Sequence, residues 1–256
     1  VDTMIAWDDS AGLPVLDVSQ VVELERRIAA EGTSLYELMK RAGAAVAEAV
    51  CAEMEAIGAV RAKAAAGLEV AAPDAAAPGP SSVVVLAGSG NNGGDGWVTA
   101  SLLAGRGMDV TLVTKTPADQ VRAEPAHAAA HDACAGAGAP EFAVSVNPDA
   151  AQLDALLSRA DVVVDAVLGT GFSRREVREP YATWINVLNR IRCDTGARVI
   201  AVDVPSGLNA QTGEPAGSCV QADITVTMLA AKPGLLTASG RVQTGRLFLA
   251  SLGCGA

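Results

Sequence analysis

The chain has 256 residues, half of them hydrophobic and 19% charged, with 19 basic against 29 acidic side chains and a net charge of -10. That balance excludes a nucleic-acid surface built from clustered Lys and Arg, and three Phe, three Trp and two Tyr are too few for a base-stacking platform. No apolar run approaches the roughly 18 to 20 residues that cross a bilayer, and the opening Val1-Asp-Thr-Met-Ile-Ala-Trp-Asp-Asp9 lacks the basic start and apolar stretch of a signal peptide.

A soluble, cytoplasmic protein is expected. Cys51, Cys134, Cys193, Cys219 and Cys254 are odd in number and scattered, without a CxxC pair, so free thiols are expected rather than a disulfide framework or a zinc knuckle.

In chain order, Val18 to Ala30 reads as a helix, with Val21, Leu24 and Ile28 along one face and Gly32 ending it. Ser34 and Glu37 fit a capping box for a second helix, whose stripe runs through Leu35, Leu38, Met39, Ala42, Val46 and Val50. Both are expected to form an N-terminal helical extension packed on the main domain. From about Met54 to Ser82 the chain turns Ala-rich and then Pro-rich, which predicts a helix extension giving way to a surface loop.

Beyond it, strands predicted at Ser82–Leu86, Asp109–Thr114, Glu141–Val146, Val162–Asp165 and Arg198–Val202 alternate with helices at Gly93–Arg106, Ala118–Gly136, Ala150–Arg159 and Tyr181–Arg192. Late strands fall at Ile224–Leu229 and Leu247–Ala250. This alternation predicts one α/β domain over 1–256, Rossmann-like and doubly wound, with a mainly parallel sheet flanked by helices.

Such sheets bind ligands beyond the carboxyl ends of their strands. Three polar clusters each follow an apolar strand: Gly88-Ser-Gly-Asn-Asn-Gly-Gly-Asp-Gly96, Asp165-Ala-Val-Leu-Gly-Thr-Gly171 and Asp203-Val-Pro-Ser-Gly-Leu-Asn209. The first satisfies GxGxxG through Gly88, Gly90 and Gly93, a pattern that lets backbone amides approach a phosphate at a helix N-terminus. Asn91, Asn92 and Asp95 crowd that turn with polar groups, and Asp109 comes too early for the ribose-binding acid, so a hydride-transfer site is disfavoured. Taken singly, each cluster is equally well a turn or a helix cap. Together, their Asn, Asp and Ser oxygens can surround one hard cation.

With Leu38-Met-Lys-Arg-Ala-Gly43 and Ala231-Lys-Pro-Gly234 added to these clusters, the sequence resembles the YjeF N-terminal domain family, the NAD(P)H-hydrate epimerases, from about Val18 to Gly253. The first motif departs from the family at Lys40, where an acid is usual. The resemblance implies that Asn91, Asn92, Gly93, Gly94 and Asp95, with Gly169, Thr170, Gly171, Phe172, Ser173, Arg174 and Arg175, line the hydrated NADH or NADPH, and that Asp203 touches it. It implies one potassium ion per subunit held by Asn92, Asp165 and Ser206. It further implies a homodimer and an ADP- or ATP-dependent dehydratase as a fused or separate partner, and the start at Val1 and the end just past the last expected strand suggest a fragment.

The expected reaction interconverts the R and S epimers, with Asp203 as the catalytic proton carrier and Asp95 assisting through a water. Two other functions stay open: a non-catalytic nucleotide-sensing or protein-binding module, and an NAD-dependent oxidoreductase. Ser206 has no histidine partner pattern for a serine hydrolase. His127 and His131, spaced i, i+4, are read as packed or surface residues rather than a metal pair. Lys232 reads either as a phosphate contact or as a surface lysine at a strand end.

Overall fold

Consecutive valines give the central strands two apolar faces, so helices must cover both. The computed structural model describes residues 4–67, 82–135 and 140–254. Its strands are β1 (Met4–Ala6), β2 (Ser82–Ala87), β3 (Asp109–Thr114), β4 (Ala143–Val146), β5 (Val162–Ala166), β6 (Arg198–Val202), β7 (Ile224–Met228) and β8 (Arg246–Ala250). They form one sheet in the order β1-β8-β7-β6-β5-β2-β3-β4, parallel throughout except for the antiparallel β1–β8 pair.

The helices are α1 (Val18–Ala30), α2 (Leu35–Ala65), α3 (Asn91–Gly105), α4 (Ala126–Ala133), α5 (Ala150–Leu157), α6 (Tyr181–Thr195), α7 (Pro233–Leu236) and α8 (Ala238–Thr244). Side chains sort by strand periodicity. Val83, Val85, Val162, Val164 and Ile200 pack with Leu38, Val46, Val50, Trp97 and Leu103 on the side of α2 and α3. Val84, Leu86, Val163 and Val199 pack with Leu153, Leu157, Trp184 and Leu188 of α5 and α6 on the other. Full burial of each such side chain stabilises the fold by about 1.5–3 kcal/mol.

Several expectations need correction. The helix expected over Ala118–Gly136 is interrupted: a 3-10 turn covers Ala118–Gln120, and α4 starts only after Pro125, whose ring and missing N–H break the pattern. By contrast, α2 continues to Ala65 as the expected helix extension beyond Met54, and 68–81, where the surface loop was expected, lie outside the described residues. Ser34 does accept from Glu37 N at 3.1 Å, but the Glu37 carboxylate pairs with Lys40 at 2.6 Å. β1, α7 and α8 are additions the sequence reading lacked.

Two features position the functional rim. Strand order reverses between β5 and β2, which opens a crevice at their carboxyl ends. And α2 lies hard against α3: a Cβ at Gly43 would sit 2.5 Å from Val98 Cγ1 and 3.1 Å from Asp95 O, while Thr99 Oγ1 donates to Gly43 O at 3.2 Å. The turn of α3 that carries Asp95 is thereby held in place.

Candidate active site

The crevice opens into a cavity of about 800 Å³ bounded by α1, α2, the N-terminus of α3 and the loops after β5, β6 and β7. Its glycine-rich wall is shaped by close approach. A Cβ at Gly88 would fall 1.9 Å from Val167 O, and one at Gly93 would fall 1.9 Å from Gly88 O, so both positions must be glycine for the turn to close on itself and on the β5 loop. Gly90 caps α3 without a side-chain hydrogen bond and faces open space, which leaves the first amides of α3 available to an anion. Asn91, Asn92 and Asp95 line the cavity, while Gly93 and Gly94 are buried behind them.

Beneath the cavity floor lies a buried polar knot. Asp165 accepts from Ser206 Oγ at 2.6 Å, Ser206 N at 2.8 Å and Val167 N at 3.3 Å, and Leu168 N donates to Ser206 Oγ at 2.8 Å. Burial raises the Asp165 carboxyl to about 6, against the pull of these hydrogen bonds. Asn92 stands beside the same loop: a Cβ at Gly169 would come 3.0 Å from its Oδ1, and its buried Nδ2 has no hydrogen-bond partner among the described residues. Asn92, Asp165 and Ser206 thus converge on Val167–Gly169. The knot offers amide, hydroxyl and carboxylate oxygen with a single acid, a set suited to a weakly charged hard cation. No group of three or more His, Cys, Asp or Glu suited to a metal occurs among the described residues, the His127 and His131 pair included.

Asp203 ends β6 with φ 65°, a left-handed conformation costly for a residue bearing a side chain. The turn aims its carboxylate across the rim. Oδ1 accepts from Lys232 Nζ, from Met228 N at 3.1 Å and from Thr227 Oγ1 at 3.2 Å, and Oδ2 accepts from Thr170 Oγ1. Burial alone would raise this carboxyl, but the Lys232 ammonium and the hydrogen bonds outweigh it and the balance lies below the usual value. Lys232, read from sequence as a phosphate contact or a surface lysine, is neither. It is 1% exposed, and its ammonium is consumed by Asp203, Thr227 Oγ1 at 3.1 Å and Met228 O at 3.0 Å.

Asp95 is the opposite case. Burial raises its carboxyl well above the carboxylate range, the neighbouring Asp203 and Glu25 push the same way, and Lys232 opposes them. Two carboxyls facing one cavity are therefore displaced in opposite directions, the arrangement that divides an acid from a base.

Gly169, Thr170, Gly171, Phe172, Ser173 and Arg174 all line the cavity. Arg175 is not among the lining residues; it is exposed, and its carbonyl accepts from Gly217 N at 3.2 Å. Sequence reasoning missed Glu25 of α1 and the Lys115, Tyr181 and Ser89 group. Lys115 Nζ lies 5.8 Å from the Tyr181 ring centroid, and Tyr181 OH donates to Ser89 Oγ at 3.2 Å. Glu25 left one usable signal, an acid four residues after Val21 on an otherwise apolar stripe. Lys115 and Tyr181 left none, because they meet only through the tertiary fold.

The family described as YjeF-related protein N-terminus matches residues 35–234. The chain is 39% identical over 223 residues to the bifunctional NAD(P)H-hydrate repair enzyme Nnr of Escherichia coli, covering 87% of this chain and 36% of that one. It is 35% identical over 225 residues to the NAD(P)H-hydrate epimerase of Cenarchaeum symbiosum, covering 86% and 87%. The crystal structure of a yeast protein, ynu0, shares the fold with a TM-score of 0.64 at 21% identity, over 87% of this chain and 83% of that one. With the family match over residues 35–234 spanning most of its sequence, the chain belongs to the YjeF N-terminal domain family.

Proposed function

We propose that this chain is an NAD(P)H-hydrate epimerase, an isomerase that interconverts the R and S epimers of hydrated NADH and NADPH. The observation that carries the reading is the split pair: Asp95, displaced toward its protonated form, and Asp203, held toward its ionised form by Lys232, both lining one cavity at the carboxyl ends of the strands. Relatives named for this activity or for NAD(P)H-hydrate repair support it.

The substrate carries a hydroxyl on a reduced ring carbon next to the ring nitrogen. Asp95 gives its proton to the departing hydroxyl, and Asp203 takes a proton from the water that adds to the other face. General acid and base help of this kind contributes about 10²- to 10⁴-fold in rate. The open amides of α3 receive phosphate, and Thr170 keeps Asp203 oriented.

Asn92 through its Oδ1, Asp165 and Ser206 would hold the potassium ion, the oxygen-only donors and the single acid of the knot being what fits it. Such an ion supplies positive charge that fixes the β5 and β6 loops. A dehydratase acting on one epimer is the expected partner, as the bifunctional repair relatives suggest. A cytoplasmic homodimer belongs to the same proposal on family resemblance alone.

The test starts from one purified epimer and follows the epimer ratio by chromatography. The wild-type chain accelerates equilibration, and Asp203→Asn reduces that acceleration by at least about 10²-fold. Hydride transfer to an added acceptor without epimer exchange would instead identify an oxidoreductase.

A further inference from the structure

Helix α1 presents Val18, Val21, Val22 and Glu25 to the cavity. These positions are spaced i, i+3, i+4 and i+7, so they form one face of the helix. Three valines make an apolar wall, and the fourth position interrupts it with a half-buried carboxylate. The Glu25 carboxylate, like that of Asp95, makes no hydrogen bond or ion pair among the described residues.

The arm that carries α1 is built into the site. Val15 bridges Ala231 in parallel, Leu16 N donates to Ala231 O at 3.0 Å, and Ala231 N donates to Pro14 O at 3.0 Å. Val18 N donates to Gln211 Oε1 at 3.1 Å, which fixes the start of the helix. Ala231 directly precedes Lys232, so the backbone that seats the buried lysine also seats α1. The family match begins at Leu35, beyond this helix.

Charge balance then gives Glu25 a task. Lys232 pairs with Asp203, while the Asp95 and Glu25 side chains face the cavity without an ion pair among the described residues, although Lys115, Arg174 and Arg178 also line it. In the proposed reaction the ring carbon–oxygen bond breaks, its electron pair leaves on oxygen, and that oxygen takes the Asp95 proton to become water. The ring nitrogen lone pair forms a carbon–nitrogen double bond, so the ring becomes positive. Water addition to the other face re-forms the carbon–oxygen bond, returns the π pair to nitrogen and releases a proton to Asp203.

We propose that Glu25 is a catalytic carboxylate of this site, standing against the positive nicotinamide ring that forms when the hydroxyl leaves. The role rests on the epimerase reading. The ring is neutral before the bond breaks and cationic after it, so the attraction grows only on the way to the transition state, where it accelerates the step. Burial first, and then Asp203, raise the Glu25 carboxyl against the opposing Lys232, so its charge is costly until a cation faces it.

Glu25→Gln keeps the shape and removes the charge. It is expected to lower kcat at least about tenfold while KM changes less than about threefold and Tm holds or rises, with Glu25→Asp recovering part of the loss. A second readout needs no turnover: NAD+, whose ring is a stable cation, is titrated beside NADH, whose ring is neutral. Glu25→Gln is expected to weaken NAD+ at least about fivefold and NADH less than about twofold. Equal effects on the two nucleotides, or a Glu25→Gln kcat within about twofold of wild type, overturn the proposal. A wild-type chain that fails to epimerise yet loses NAD+ discrimination with Glu25 would remove the epimerase reading and leave the cation-facing carboxylate standing.

Discussion

The two rims of the sheet treat acids in opposite ways. At the amino ends of the strands, Asp161 pairs with Arg61, Asp223 with Arg192 at 2.7 Å and Arg198 at 3.6 Å, and Glu53 with Arg198 at 3.6 Å and with Arg246. Three acids there meet four arginines. At the carboxyl ends, Lys232 pairs with Asp203 alone, and Glu25, Asp95 and Asp165 have no ion pair among the described residues. One rim is neutralised and locks helices to strands. The other keeps unpaired negative charge at a stability cost, as expected where pKa values are tuned for chemistry.

The largest effect should come from Asp95→Asn, which removes the proposed proton donor. The epimerisation rate is expected to fall about 10²-fold or more while the thermal midpoint holds or rises, because a half-buried acid without an ion pair has been removed. A fall in both would make Asp95 a structural residue and weaken the contrast between the rims.

Lys232→Met comes next. It leaves Asp203 buried without its cation and is expected to cost about 3 kcal/mol in urea unfolding. Adding Asp203→Asn should return part of that loss, since the stranded charge is gone. An additive double mutant would mean that the pair is not coupled.

At the opposite rim, Glu53→Gln should cost about 1 kcal/mol, discounted because the Arg198 and Arg246 side chains are 50% and 59% exposed, and should leave the rate unchanged. Lost activity there would erase the division of labour.

The smallest effect concerns the knot. Folded Asp165 keeps its proton up to about 6 against an ordinary value of 3.8, so without potassium stability falls as pH rises between those values and stays lower above them. A cation bound to the ionised carboxylate offsets this. Potassium should therefore raise the thermal midpoint more at about pH 7.5 than at about pH 5, and sodium less at both. Equal shifts for both ions would remove the specific site.

Much of this was legible in the chain. Runs such as Val83–Val85 and Val162–Val164 can be covered only from both faces, and the polar clusters after them fall where a parallel sheet binds ligands. The sequence reading named Asp95, Asp165, Asp203 and Ser206. It gave the loop glycines to a phosphate and did not see that Gly88 and Gly93 are also required by packing, since a Cβ at either would meet a carbonyl oxygen at 1.9 Å. It underrated Pro125 because the alanines around it keep helical periodicity. It missed the roles of Glu25 and Lys232 because a charged residue reads as exposed until the opposing wall is known: Lys232 is buried by the strand ends beside it and Glu25 by the cavity that α1 closes.

Oxygen tracing tests the central claim most directly. A single epimer is incubated with the chain in ¹⁸O-water, and label in the ring hydroxyl is compared with epimer conversion at early times. Carbon–oxygen cleavage between Asp95 and Asp203 predicts label entering in step with conversion, with both rates falling together in Asp95→Asn and Asp203→Asn. Conversion that outruns labelling, as ring opening at the carbon–nitrogen bond would give, contradicts the account.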